Sequence, residues 1–159
     1  MKNKPLLISI RNWISLIREL RRRGYGERES GAFLLAKQGS NEITKFICYD
    51  ELDPTALDTG IIVFHGAGFV PLWDYCRKSG MSVVADVHTH SDKWTGQSEA
   101  DRTHPMIGQK GHVSLIVPHY AQRNLLSHRG VGIYEYAGNH QWLCGSRGKL
   151  KLTLFSCPN

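Results

Sequence analysis

Met81-Ser82-Val83-Val84-Ala85-Asp86-Val87-His88-Thr89-His90-Ser91 is a β pattern that runs straight into two histidines. Side chains two apart on a strand point to the same face. His88 and His90 can therefore converge on one point while Thr89 points away. A polar loop follows at 91–97, and after it Ser98-Glu99-Ala100-Asp101. If that loop folds back, Asp101 returns over the face that carries both imidazoles. Asp86, two before His88, shares that face and reads either as a support beside the site or as part of a buried network.

Two imidazoles and a carboxylate make three protein ligands for a divalent ion. Zinc favours four, so a fourth position is left to water, the arrangement of a catalytic site. Bound zinc lowers the pKa of that water to about 7. Ser98 precedes Asp101 by three, as a helix N-cap precedes an acidic first-turn residue. Its hydroxyl also lies where it can donate to an oxyanion. With 8 His, 12 Ser and 7 Asp in 159 residues, this four-residue pattern arises by chance in roughly one such chain in a thousand.

Outward from this stretch the elements alternate. Trp13, Ile14, Leu16, Ile17 and Leu20 recur at helical spacing, which predicts a helix over 12–23 closed by Gly24. Ala32 to Lys37 reads as a buried strand, 39–41 as a turn, and Ile43 to Tyr49 as the strand that pairs back. The acidic 50–60 segment reads as loop and Ile61 to Phe64 as a short strand. A helix is predicted over 69–78 and another over 98–109. Short strands are predicted at 113–117, 131–136, 141–144 and 150–155. The mixture argues an α+β or α/β chain forming a single domain over 1–159.

Composition excludes some classes. No run approaches the roughly 20 apolar residues of a membrane span, and the apolar stretch 6–10 is too short for a signal-peptide core. The expected location is cytoplasmic, with no membrane partner. Cys48, Cys76, Cys144 and Cys157 show no CxxC spacing and read as reduced thiols. The net charge of +6 is uneven: residues 1–30 hold eight Lys/Arg against three Glu, and 31–120 hold seven basic against ten acidic residues. Nucleic-acid binding is thus only weakly signalled. Arg21-Arg22-Arg23 suits the end of a helix, or alternatively a patch for an acidic partner. His65, His104, His112, His119, His128 and His140 have no partners at metal spacing. His104, one turn after Asp101, is the one placed to support the site, although Pro105 disturbs the helix there.

His88-Thr89-His90, seven residues, Ser98, two residues and Asp101 together resemble the JAMM motif of the MPN+ (JAB) metalloproteases. That family adds an upstream glutamate before a glycine-containing apolar strand, and Glu29-Ser30-Gly31-Ala32-Phe33-Leu34-Leu35 has that form. Glu27 is the alternative glutamate. The likeness spans about residues 12–118, with Ala36 standing where a glycine often closes the strand. The resemblance implies an MPN/JAB (cytidine-deaminase-like) α+β domain, α/β/α-like, with a mixed central sheet flanked by helices. It implies Zn2+ on His88, His90 and Asp101, Glu29 as general acid/base and Ser98 as the oxyanion donor. It also implies hydrolysis after the C-terminus of a ubiquitin-like protein or similarly attached modifier. The run 85–90 and His104-Pro105-Met106-Ile107 look like the compact bacterial branch, which accompanies E1-like and E2-like enzymes, including in antiphage defence operons. Alternatives are a peptidase processing sulfur-carrier-like proteins and a non-catalytic MPN scaffold. A substrate tail would add as a strand to a sheet edge, between walls expected at 50–60 and 91–97, with Trp94 over it.

Overall fold

The computed structural model describes residues 4–123, 126–145 and 147–155; Cys157 lies outside them. Eight strands form one mixed sheet: β1 (Leu6–Ser9), β2 (Gly31–Lys37), β3 (Glu42–Cys48), β4 (Met81–Thr89), β5 (Val113–Val117), β6 (Gly132–Gly138), β7 (Gln141–Cys144) and β8 (Leu150–Thr153). Their order is β7-β6-β5-β4-β2-β3-β1-β8. β4 therefore lies between β2, antiparallel to it, and β5, parallel to it. The helices are α1 (Ile10–Gly24), α2 (Tyr49–Leu52), α3 (Phe69–Ser79) and α4 (Glu99–Thr103).

Each face of the sheet has its own core, as strand alternation requires. On one face α1 lays Trp13, Leu16, Ile17 and Leu20 against Ala32, Leu34, Ala85, Val87 and Leu115. On the other, Phe33, Leu35, Tyr49, Leu57, Leu72 and Cys76 pack together. β2 is buried on both faces from Gly31 to Ala36, so it reads as a continuous apolar run. Burial of each large apolar side chain contributes about 1.5–3 kcal/mol.

Ser9 caps α1 by accepting from the Asn12 N–H at 3.2 Å. The helix closes on Tyr25 in the left-handed conformation (φ 36°), one residue beyond the glycine that the sequence marks as its end. The triple arginine is tied into the fold. Arg21 Nε donates to the Ala121 carbonyl at 3.0 Å, and Arg23 pairs with Asp50 and with Glu19. Arg22 pairs with Glu19 at the surface, so a free patch for an acidic partner is not what these residues form. Cys48 and Cys76 are buried and Cys144 is exposed, all as free thiols. Burial pushes the Cys48 thiol up to about 12 against the pull of Arg23, which keeps it unreactive.

Two expected elements differ, and two form that the sequence does not predict. Residues 61–64 form no strand; they run beside the site without a ladder. The helix expected over 98–109 ends at Thr103. Pro105 has no N–H to give and pushes His104 out of helical geometry (φ −126°, ψ 66°). β1, whose four residues carry no alternation long enough to read, pairs in parallel with both β3 and β8. Within the segment expected as loop, α2 forms because Glu51 Oε2 accepts from the Cys48 N–H at 2.7 Å.

Candidate metal centre

β4 delivers the histidines. Asp86 and His88 face the same side of the sheet, opposite Val87, which lies in the α1 core. Thr89 is fully buried and ties two strand ends together. Its N–H donates to the Ser30 carbonyl at 2.9 Å, and its Oγ1 accepts from the Ser30 N–H at 3.0 Å. Ser30 Oγ donates to the Leu20 carbonyl at 2.7 Å, anchoring this junction to the end of α1. The residue before Ser30 is Glu29, so the same knot sets the glutamate beside the histidines.

His90 lies just past β4, with its N–H on the Val117 carbonyl at 2.9 Å. Behind it runs a left-handed turn, His119, Tyr120 and Ala121 (φ 56°, 49° and 61°). Such backbone costs roughly 1–2 kcal/mol per non-glycine residue and persists where surrounding bonds demand it. Here the Tyr120 N–H donates to the His90 carbonyl and the His119 N–H to the Asp92 carbonyl, each at 2.8 Å.

Asp101 arrives from the first turn of α4. Ser98 Oγ accepts from the Asp101 N–H at 3.1 Å, and Asp101 Oδ2 accepts from the Ser98 N–H at 2.7 Å. This capping box leaves the carboxylate facing both imidazoles. His88 Nε2 is 3.2 Å from His90 Nε2 and 3.3 Å from Asp101 Oδ1; His90 Nε2 is 3.4 Å from Asp101 Oδ2.

These separations test whether an ion fits. Two ligand atoms at zinc's bonding distance of about 2.0–2.2 Å, set tetrahedrally, lie about 3.3–3.6 Å apart. The His88–His90 separation falls close to that edge length, and each imidazole comes within 3.4 Å of one of the two Asp101 oxygens. Two nitrogens and one oxygen are also a donor set that suits zinc. Among the described residues, His88, His90 and Asp101 form the group able to hold a metal ion.

The electrostatics agree. Burial opposes the charged form of Asp101, but the His88 and His90 imidazoles and the Ser98 N–H hold its carboxyl well below the usual range. Burial likewise disfavours a charged His90, yet Asp101 and the Trp94 carbonyl outweigh it and raise its pKa. His90 Nδ1 lies 3.1 Å from the Trp94 carbonyl, and the Trp94 indole stacks on the ring at 5.4 Å. A carbonyl can only accept, so Nδ1 carries the proton and Nε2 keeps its lone pair for a metal.

The site opens into a cleft of about 650 Å³. Glu29, His88, Ser98 and Asp101 share it, and Glu27 does not line it. Glu29 Oε2 accepts from the Ile62 N–H at 3.3 Å. The expected walls are corrected here. One wall is 61–64, not 50–60; the other is built from α4 and the turn through Met106, with Trp142. No residue of the 91–97 loop lines the cleft; Trp94 instead contacts His90. His104 lines the cleft, its Nδ1 2.9 Å from Thr103 Oγ1.

Asp86 belongs to a buried network that also reaches the cleft. Its carboxylate meets His112 Nε2 at 2.7 Å and accepts from Ser114 Oγ at 2.9 Å. The neighbouring Tyr49 hydroxyl is pushed well above its ordinary pKa by burial and by the Asp86 charge, so it stays protonated.

Sequence reasoning did not find Tyr134, Trp142 or the apolar wall. Tyr134 and Trp142 act over 39 and 40 residues, holding Thr95 and Arg102 by their carbonyls. No local pattern marks them.

No protein-family model matches the chain. Solved structures do resemble it. A JAB1/MPN domain protein from Archaeoglobus fulgidus aligns with TM-score 0.54 and 15% identity, over 95% of this chain and 100% of its own. A protein from Desulfitobacterium hafniense aligns with TM-score 0.59 and 11% identity, over 93% of this chain and 92% of its own. A Salinibacter ruber protein aligns with TM-score 0.57 and 14% identity, over 89% of each chain. The chain has the α+β fold of a JAB1/MPN domain. On that fold it carries a His-His-Asp group able to bind a metal ion.

Proposed function

We propose that this protein is a zinc-dependent isopeptidase or peptidase of the JAMM type. It cleaves after the C-terminus of a ubiquitin-like protein or a similarly attached modifier. The observation that carries the reading is the convergence of His88, His90 and Asp101 at a cleft that also holds Glu29 and Ser98.

Zinc on these three residues supplies Lewis acidity, activating water near neutral pH and polarising a carbonyl. Glu29 takes the proton of the attacking water on a carboxylate oxygen. It then hands that proton to the amine nitrogen as the C–N bond breaks. Ser98 Oγ accepts from the Asp101 N–H, which leaves its own O–H free to donate to the oxyanion. Ile62, Phe64, Phe69, Met106 and Trp142 form much of the remaining lining and exclude water around these polar groups.

A ubiquitin-like substrate, partnered with E1-like and E2-like enzymes of a bacterial conjugation system serving antiphage defence, is the setting this reading favours. Among the described residues no helix is long and apolar enough to cross a membrane. The test is zinc content of the purified full chain, with cleavage of a tail-linked ubiquitin-like fusion compared with a short peptide. One equivalent of zinc and preferential cleavage of the fusion support the reading. A zinc-replete protein inert on every such bond defeats it.

A further inference from the structure

Tyr134, on β6, donates its hydroxyl to the Thr95 carbonyl at 2.7 Å. Gly132, on the same strand, lies against that same carbonyl and against the phenol ring: a Cβ there would fall 2.4 Å from Thr95 O, 2.9 Å from Tyr134 Cε2 and 3.1 Å from Thr95 Cβ. Gly96, on the other side of Thr95, shows a matching constraint. A Cβ on it would come within 2.5 Å of the Trp94 indole. Two glycines and one phenol thus seat the Trp94-Thr95-Gly96 turn. Trp94 in turn touches His90 twice, through its carbonyl on Nδ1 and through its stacked ring. Its own N–H is held by Asp92 Oδ1 at 2.8 Å.

The 91–97 loop has no strand ladder of its own. The direction of the Trp94 carbonyl is therefore set by what holds the chain on either side of it. Asp92 holds the preceding side, and Tyr134 with Gly132 the following side.

We propose that Tyr134 is a positioning residue for the metal ligand His90. By pinning the chain one peptide beyond the Trp94 carbonyl, Tyr134 keeps that carbonyl on Nδ1. Nε2 is thereby left as the atom offered to the ion. The proposal rests on the metal reading above and adds to the site a residue from β6, two strands away from β4.

The experiment uses the full chain as wild type, Tyr134→Phe and Gly132→Ala. Zinc affinity is measured by competition with a chromophoric chelator. The cobalt-substituted proteins give visible absorption spectra, and the metal-free proteins give melting temperatures. Loss of an outer hydrogen bond to a ligand weakens metal binding about 10–100-fold. One link further out, Tyr134→Phe should weaken zinc by about 3–10-fold and shift the cobalt bands. Its metal-free melting temperature should match wild type, because the ring still packs. Gly132→Ala, whose Cβ would press on both the Thr95 carbonyl and the Tyr134 ring, should weaken zinc by displacing their hydrogen bond. Unchanged affinity and spectra in Tyr134→Phe overturn the proposal. So does an affinity loss that only tracks a lower metal-free melting temperature. A wild-type chain that takes up neither ion overturns the metal reading itself, which the first titration shows before any variant is compared.

Discussion

Gly31 lies opposite His88 in the β2–β4 ladder, and the Tyr49 ring occupies the space a side chain at Gly31 would need. A Cβ at that position would sit 2.3 Å from Tyr49 and 2.7 Å from the Val87 carbonyl. The second of these contacts is backbone in the strand that bears the ligand, so neither neighbour can simply rotate away. Gly31→Ala should cost about 1–3 kcal/mol, the usual range for overpacking. Urea unfolding of the metal-free protein measures it. A neutral result would mean that β2 and β4 are less rigidly joined than the register implies.

Glu29 lines the cleft but contributes no atom to the His-His-Asp group. Glu29→Gln should therefore keep one equivalent of metal while turnover falls by about 10²–10⁴-fold, the usual share of general acid–base catalysis. Metal content and rate, measured on the same preparation, check this. Retained activity in the zinc-replete variant would remove Glu29 from the chemistry.

Asp101 belongs to the His-His-Asp group and also caps α4, whereas His88 belongs to the group alone. His88→Ala should lose metal with little change in α4. Asp101→Ala should lose metal and also about 1 kcal/mol of cap stabilisation. Hydrogen exchange at the Ser98 N–H, bonded to Asp101 Oδ2, should speed up in Asp101→Ala alone. Equal protection in both variants would deny the capping role.

Asp53 anchors the segment that ends in the cleft wall. The His65 N–H first, then the His65 ring and Thr55, hold its carboxyl well below the usual range. A depressed carboxyl contributes stability above its unfolded pKa of about 3.9, and that contribution is lost as pH falls toward its folded value. Acid should therefore loosen 53–65, and Asp53→Asn should flatten that acid limb. Stability curves from pH 6 downward for both proteins decide it, with parallel curves counting against the anchor.

Tyr120 holds φ 49° without being glycine. Asn tolerates that region better. Tyr120→Asn should stabilise the metal-free fold by about 0.5–1 kcal/mol, as relief of an unfavourable backbone site commonly does. A loss in thermal unfolding would show that the Tyr120 side chain contributes more than its backbone costs.

How legible was all this? His88, His90, Ser98 and Asp101 lie within fourteen residues; strand alternation turns both imidazoles to one face and the capping pattern joins Ser98 to Asp101, while the return of Asp101 depends on the 91–97 loop. Glu29 is legible only through the family resemblance, in which Ser30 and Gly31 follow the glutamate, and why Gly31 must be glycine appears only with Tyr49 in place. The 61–64 wall has the composition of a strand, but its apolar residues line a cleft and form no ladder. The helical spacing over 98–109 is cut short at Thr103 by Pro105. Tyr134 and Trp142 were invisible for another reason: a single hydrogen bond across forty positions leaves no trace in local composition.

The sheet ends on both sides in strands of only four residues, β7 and β8. A second copy approaching either margin finds few open amide groups to grip, and Lys151 sits on one of them. Brevity at the borders thus offers little purchase for zipping one sheet onto the next.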